Sequence, residues 1–240
     1  HGDTGCPVQN YIPEWNDYML AEQWEKAYGL LNATNNLPEI TGRLCPALCE
    51  YACVLGLTDD PVTIRENELS IIEHAFEAGI IQARPPLKRT GKNVAVVGSG
   101  PAGLACADQL NKAGHTVTLF ERDNKLGGIL RYGIPDFKLE KHIIDRRLEI
   151  LKKEGIIFKT GINVGVDYKV SDLKKDFDAI CIAGGSRQPR DLAIEGRSAQ
   201  GIHFAMEYLT QSNKRVSGEK IPPAECIDAQ GKKVLVIGGG

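Results

Sequence analysis

The sequence has no apolar run approaching the length of a membrane span, and its N-terminus lacks a basic segment followed by an apolar one. Neither a bilayer span nor a secretory leader is expected, and the expected location is the cytoplasm. A charge excess is also missing: 29 Lys and Arg stand against 31 Asp and Glu, a formal net charge of −2. That balance gives no basis for a nucleic-acid or membrane-surface partner. Repeats and low-complexity stretches are absent, and no histidine is expected to be catalytic; His115 reads as an ordinary polar residue before a strand. The chain of 240 residues is nevertheless long enough for more than one buried core. Both ends are expected to be cut, since it starts at His1 and stops at Gly240 within KKVLVIGGG.

Cysteine is unevenly spread. Cys6, Cys45, Cys49 and Cys53 lie in the first quarter, whereas Cys106, Cys181 and Cys226 are single. A disulfide framework belongs to small secreted domains, so the early group reads first as a metal or iron–sulfur site. Cys45, Cys49 and Cys53 recur every four residues, a stripe on a helix expected over Pro46–Leu55. Spacing alone leaves open an iron–sulfur cluster or free cysteines filling a helical core. Further helices are expected over Pro13–Asn32 and Thr63–Gly79, from apolar residues at helical spacing.

After the proline-rich, basic ARPPLKRTGK the pattern changes to strands alternating with helices: NVAVVGSG, TVTLFE, IIFKTG, DAICIAGG and VLVIGGG read as strands of a parallel sheet. The expected fold is therefore α/β. A helical, cysteine-bearing domain (1–82) is expected before a Rossmann-like dinucleotide-binding domain (83–216), with a further dinucleotide-binding domain beginning at 217–240. In GSGPAG, Gly98 allows the tight turn, Gly100 leaves room for a pyrophosphate, and Gly103 lets the helix lie close to the strand. Pro101 and Ala102 open that helix, whose N-terminal N–H groups suit phosphate. Glu121, ending the second strand, is placed to accept hydrogen bonds from ribose hydroxyls. Gly238 and Gly240 read as the start of a second dinucleotide turn, for a nicotinamide nucleotide, or else as the end of another strand of the same sheet.

RDNKLGGILRYGIPDFKLEK and DAICIAGGS resemble segments of flavoprotein disulfide-reductase-like and glutamate-synthase-like enzymes. GCPVQNYIPEWND, NATNNLPEITGRLCPALCEYACVLGL and PVTIRENE resemble the N-terminal domain of the glutamate synthase small-subunit family, an arrangement shared with dihydropyrimidine dehydrogenase. The resemblance implies that the first domain is an all-helical iron–sulfur domain and the second an FAD-binding domain. It implies FAD rather than NAD at the first turn, with Gly127 and Gly128 letting backbone approach the flavin. It also implies that Arg122, Leu130, Gly133, Ile134, Pro135 and Lys138 lie along the cofactor, and that Ala183 and Gly184 return to it. Gly184 departs from the usual Thr. For the helical domain it implies two 4Fe–4S clusters: Cys6, Cys45, Cys49 and Glu68 would hold one, while Cys53 would serve the other with ligands preceding His1. Electrons would then pass from NADPH through FAD and the clusters to a glutamate synthase large subunit, which makes glutamate from 2-oxoglutarate and glutamine. Alternatives are a pyrimidine-reducing or ferredoxin–NADP bifurcating enzyme built on the same module, and a truncated, redox-inert assembly module.

Overall fold

The computed structural model describes residues 5–186 and 188–238. Its first third is helical: α1 (Ile12–Leu20), α2 (Trp24–Thr34), α3 (Pro38–Leu44), α4 (Leu48–Tyr51) and α5 (Ile64–Glu77). The helix expected over Pro13–Asn32 is two helices, broken at Glu22, which takes a left-handed φ of +57°. Folding back there lets Trp15 of α1 and Ala27 and Leu31 of α2 share one core with Ile64, Ile71 and Ile72 of α5. A straight helix could not bring both sets onto the same α5 face.

The helix expected over Pro46–Leu55 also needs correction. Only Leu48–Tyr51 is α-helical. Cys45 is extended, at φ −62° and ψ 135°, as expected of a residue whose successor is proline. Ala47 is left-handed at φ +55°. Cys45, Cys49 and Cys53 therefore lie before, on and after a single turn instead of along one stripe.

The 83–92 segment is irregular and leads into the sheet. β1 (Asn93–Val97) is followed by α6 (Pro101–Lys112), β2 (Thr116–Phe120), α7 (Ile129–Tyr132), α8 (Lys141–Lys153) and β3 (Ile157–Lys159). α9 (Val170–Asp176), β4 (Ala179–Ile182) and α10 (Ala205–Val216) complete the order. The strands lie β3-β2-β1-β4, all parallel, with Asn93 opposite Thr116, Val94 opposite Ala179 and Thr118 opposite Ile157. Parallel strands need cover on both faces. Val96, Val117 and Leu119 pack under Leu104 and Ala107 of α6 and Ile143, Ile144, Leu148 and Leu151 of α8. Ala95 and Phe120 face Leu173 of α9 on the other side. Leu37 and Ile40, from the helical third, are part of the first of these cores.

The strand expected at VLVIGGG does not form. Val234, Leu235, Val236 and Ile237 are irregular and exposed, and the segment pairs with neither edge strand of the sheet, β3 or β4. No helix among the described residues is long and apolar enough to cross a membrane.

Candidate cofactor-binding site

β1 ends in a turn whose first glycine, Gly98, has φ +106°. A Cβ there would stand 2.4 Å from the carbonyl oxygen of Ala183, and a Cβ on Gly103 would stand 1.9 Å from that of Gly98. Packing alone therefore requires glycine at both positions. Gly100 differs, since nothing lies within 4 Å of its missing Cβ. It caps α6, Pro101 takes the first helical position, and Ala102 follows exposed. The open side of Gly100 and the first N–H groups of α6 together form a concavity suited to phosphate.

Three other segments meet this turn. β4 delivers Ala183, whose N–H donates to the Val97 carbonyl at 2.8 Å, with exposed Gly184 next to it. β1 lies between β2 and β4, so the turn opens at the point where successive connections leave to opposite sides, the usual ligand crevice of such sheets. Gly128 comes so close that its Cβ would be 2.9 Å from the Gly100 Cα. Glu121 is buried at the end of β2, and its carboxylate accepts hydrogen bonds from the Ser99 N–H at 3.0 Å, the Ser99 hydroxyl and the Asp123 N–H at 3.0 Å. The Ser99 hydroxyl also accepts from the Gly127 N–H at 2.9 Å.

Ser99 thus ties the glycine turn, the end of β2 and the Gly127–Gly128 loop together. Sequence reasoning passed over it. The only trace was a hydroxyl residue between two motif glycines, a position the motif leaves free.

The remaining residues expected along the cofactor divide. Leu130 points into the sheet's core and Ile134 packs against it. Gly133 is crowded, its Cβ position lying 2.7 Å from Ile129 Cγ1. Arg122 is exposed just beyond Glu121. Pro135 and Lys138 belong to a turn held by Lys141, whose ammonium donates to the carbonyls of Ile134 at 2.7 Å and Leu139 at 2.8 Å. Burial holds Lys141 below the usual lysine pKa, Asp136 opposing and Arg131 assisting. Lys138 lines a cavity of about 410 Å³, together with Asp136 and Phe137 on one side and Arg43, Arg65 and Leu69 of the helical third on the other. Gly238 has φ +99° and no atom near its Cβ position, and Gly240 lies outside the described residues.

Of the metal-ligand candidates, the structure groups three. Burial pushes the Cys49 thiol up to about 11, and the neighbouring Cys6 and Cys45 add to the shift. Gly5, next to Cys6, lies on α4, its Cβ position 3.2 Å from the Cys49 Cα. A site where neighbouring thiols disfavour ionisation of Cys49 suits a cationic iron–sulfur core, which would remove that repulsion. Among the described residues no three His, Cys, Asp or Glu side chains converge as ligands of one metal ion. Ligands of a 4Fe–4S cube sit on different irons and need no such convergence. Cys53 stands apart, its thiol pKa lowered by backbone N–H groups of Val62, Leu55 and Gly56, a setting that favours the thiolate. Glu68 is buried, with its carboxylate accepting hydrogen bonds from the Thr41 hydroxyl and from Asn35 Nδ2 at 3.0 Å. Burial raises its pKa to about 7 despite those bonds.

Comparisons with known proteins find two families along the chain. The family described as dihydropyrimidine dehydrogenase domain II, 4Fe-4S cluster, matches residues 1–80, and that described as pyridine nucleotide-disulphide oxidoreductase matches residues 92–240. The glutamate synthase (NADPH) small chain of Mycobacterium tuberculosis is 55% identical, over 99% of this chain and 49% of its own length. That of Bacillus subtilis is 53% identical, over 99% and 48%. The glutamate synthase (NADH) of Schizosaccharomyces pombe is 49% identical, over 99% of this chain and 11% of its own. The chain therefore spans about half the length of the curated small chains it matches.

Proposed function

We propose, from the premise that the chain belongs to the pyridine nucleotide-disulphide oxidoreductase family, that it is the electron-input part of a glutamate synthase. Its sequence combines a 4Fe–4S-type domain with a flavin-type dinucleotide domain, an oxidoreductase combination. The observation that carries the reading is the open cradle at Gly100, bounded by Gly98, Gly128, Ala183 and Glu121. Bound there, FAD would supply the exchange between electron pairs from NADPH and single electrons for iron–sulfur clusters.

In this proposal the chain's residues bind and orient. Gly100 and the α6 N-terminus hold the pyrophosphate, Glu121 stands at the ribose, and Gly127, Gly128 and the turn containing Pro135 and Lys138 lie along the flavin. Cys6, Cys45 and Cys49 hold one cluster, with Glu68 as the fourth ligand once it turns from Asn35 and Thr41; Cys53 serves a second cluster. The large subunit that accepts the electrons, the 2-oxoglutarate and glutamine it consumes, and a cytoplasmic location belong to the same proposal. Support comes from the high identity to glutamate synthases over nearly all of this chain.

Anaerobic purification with iron and flavin counted per chain tests the cofactor half. Flavin absorption plus a broad shoulder bleached by dithionite is expected. Folded but colourless protein would overturn the electron-carrying role and favour an inert assembly module. Reconstitution with a large subunit tests the partner: NADPH-dependent glutamate formation is expected, whereas uracil reduction would point to the pyrimidine-reducing relatives of residues 1–80.

A further inference from the structure

Glu39 and Arg147 form an ion pair that joins the two cofactor-bearing halves of the chain. Arg147, on α8, donates from Nε to Glu39 Oε1 at 2.7 Å and from a terminal nitrogen to Oε2 at 2.8 Å. Both side chains are buried, Glu39 completely. A buried pair of this kind is weak evidence for stability, because losing two hydration shells offsets much of the attraction; its best-attested use is to fix register. The flanking geometry shows what register it would fix. Glu39 opens α3, and six residues later the same helix ends at Cys45. Between them, Thr41 donates to Glu68, and Arg43 donates to Glu73 at 2.8 Å. Gly42 lets α3 sit against α5, its Cβ position 3.1 Å from the Leu69 Cα. On the other side, α8 begins at Lys141, which clamps the Ile134–Leu139 turn. Arg146, next to Arg147, donates to Glu73 at 2.8 Å and lies 3.8 Å over the Phe76 ring. A line of packed elements thus runs from Cys45 through α3 and α8 to the flavin-side turn, and Glu39–Arg147 is its buried joint.

We propose that the Glu39–Arg147 pair is a positioning element: it locks the cysteine loop to the flavin-side turn and so sets the path between flavin and cluster. The proposal rests on the electron-input reading above. Removing one charge would strand the other in the core, so the informative variant removes both, Glu39→Met with Arg147→Met. In the full-length protein loaded with flavin and iron, this variant is expected to keep its cofactor content and melt within a few degrees of wild type. Two changes are expected. Amides of α3 should exchange hydrogen at least tenfold faster in the cofactor-free chain, and reduction of the cluster after rapid flavin reduction should slow at least tenfold. Glu39→Arg with Arg147→Glu, which restores a pair in reverse, should recover part of both. Wild-type exchange and wild-type cluster reduction in the Met variant would overturn the positioning role. A wild-type protein that holds both cofactors but passes no electrons between them would instead overturn the electron-input reading, and with it the path this pair is said to set.

Discussion

Two glycines of one motif should fail in opposite ways when each gains a methyl group. At Gly103 the new Cβ would lie 1.9 Å from the Gly98 carbonyl oxygen and 2.9 Å from its carbon. Both are backbone atoms, so no side-chain rotation relieves the clash, and α6 must move away from β1. Overpacking of this kind costs about 1–3 kcal/mol or somewhat more. For a chain of this size each kcal/mol lowers the melting temperature by about 2–4 °C, so Gly103→Ala is expected to melt roughly 2–12 °C below wild type. At Gly100 the Cβ would meet nothing within 4 Å, and the backbone needs no left-handed conformation. Gly100→Ala should therefore melt within about 2 °C of wild type, as a surface change does. Its methyl would project into the cradle, and FAD affinity is expected to fall at least tenfold, about 1.4 kcal/mol. Thermal melts without ligand and FAD titration by fluorescence quenching separate the two effects. Wild-type FAD binding by Gly100→Ala, or equal destabilisation by both variants, would refute the assignment of Gly100 to the ligand and Gly103 to the fold.

Ser99→Ala removes a donor to the buried Glu121 carboxylate and an acceptor for Gly127 N–H; a loss of about 2–3 kcal/mol is expected, measured by denaturant unfolding, and weaker FAD binding should accompany it. Cys49→Ser should lower iron per chain after anaerobic reconstitution, whereas Cys106→Ser, which alters a residue packed against the sheet's core, should leave iron unchanged; equal iron in both would remove Cys49 from the ligand set. Burial alone would raise the Glu73 pKa, but hydrogen bonds from Arg146 and Arg43 outweigh it and the net shift is downward from 4.5. A depressed carboxylate stabilises the fold above its unfolded value and loses that contribution as pH falls through the folded one. Wild type should therefore melt above Glu73→Gln at neutral pH, with the gap closing below about pH 4.5; a gap independent of pH would show that the pair contributes no charge-linked stability.

The sheet was readable because its signals are local: an apolar run such as NVAVV, a glycine and a helical stretch each fall within a few residues. The left-handed Glu22 and Ala47 were not, since no glycine or asparagine marks them and the conformation is set by what the flanking helices bury. α3 carried a visible start signal, Pro38 at its first turn, but its shortness hid it beside the cysteine pattern. Cys45 could have been excluded from a helix by the proline after it, a rule available from sequence and outweighed in the reading by the attraction of four-residue spacing. The apolar run at 234–237 shows the converse: composition can favour a strand, but a strand exists only once it pairs, and this segment pairs with neither β3 nor β4.

The division expected from the sequence, a cysteine domain followed by a flavin domain, does not describe how the chain packs. Leu37 and Ile40 come from the first, yet they belong to one buried core with Leu104, Leu139, Ile143 and Leu148 of the second. Arg147 of the second finds its counter-charge on the first. A basic, proline-rich linker marked the boundary in the sequence because chain direction and composition change there, and neither quantity records who packs against whom. Separating the halves at that linker would expose apolar side chains on both and return Arg147 and Glu39 to water, where regained hydration offsets much of the lost attraction, so the coupling rests mainly on the shared apolar core. Burying one such large apolar side chain contributes roughly 1.5–3 kcal/mol, which against a typical total stability of about 5–15 kcal/mol couples the unfolding of the two halves. The same coupling holds a cysteine loop at a fixed place relative to a flavin cradle, which two independently mobile domains could not do.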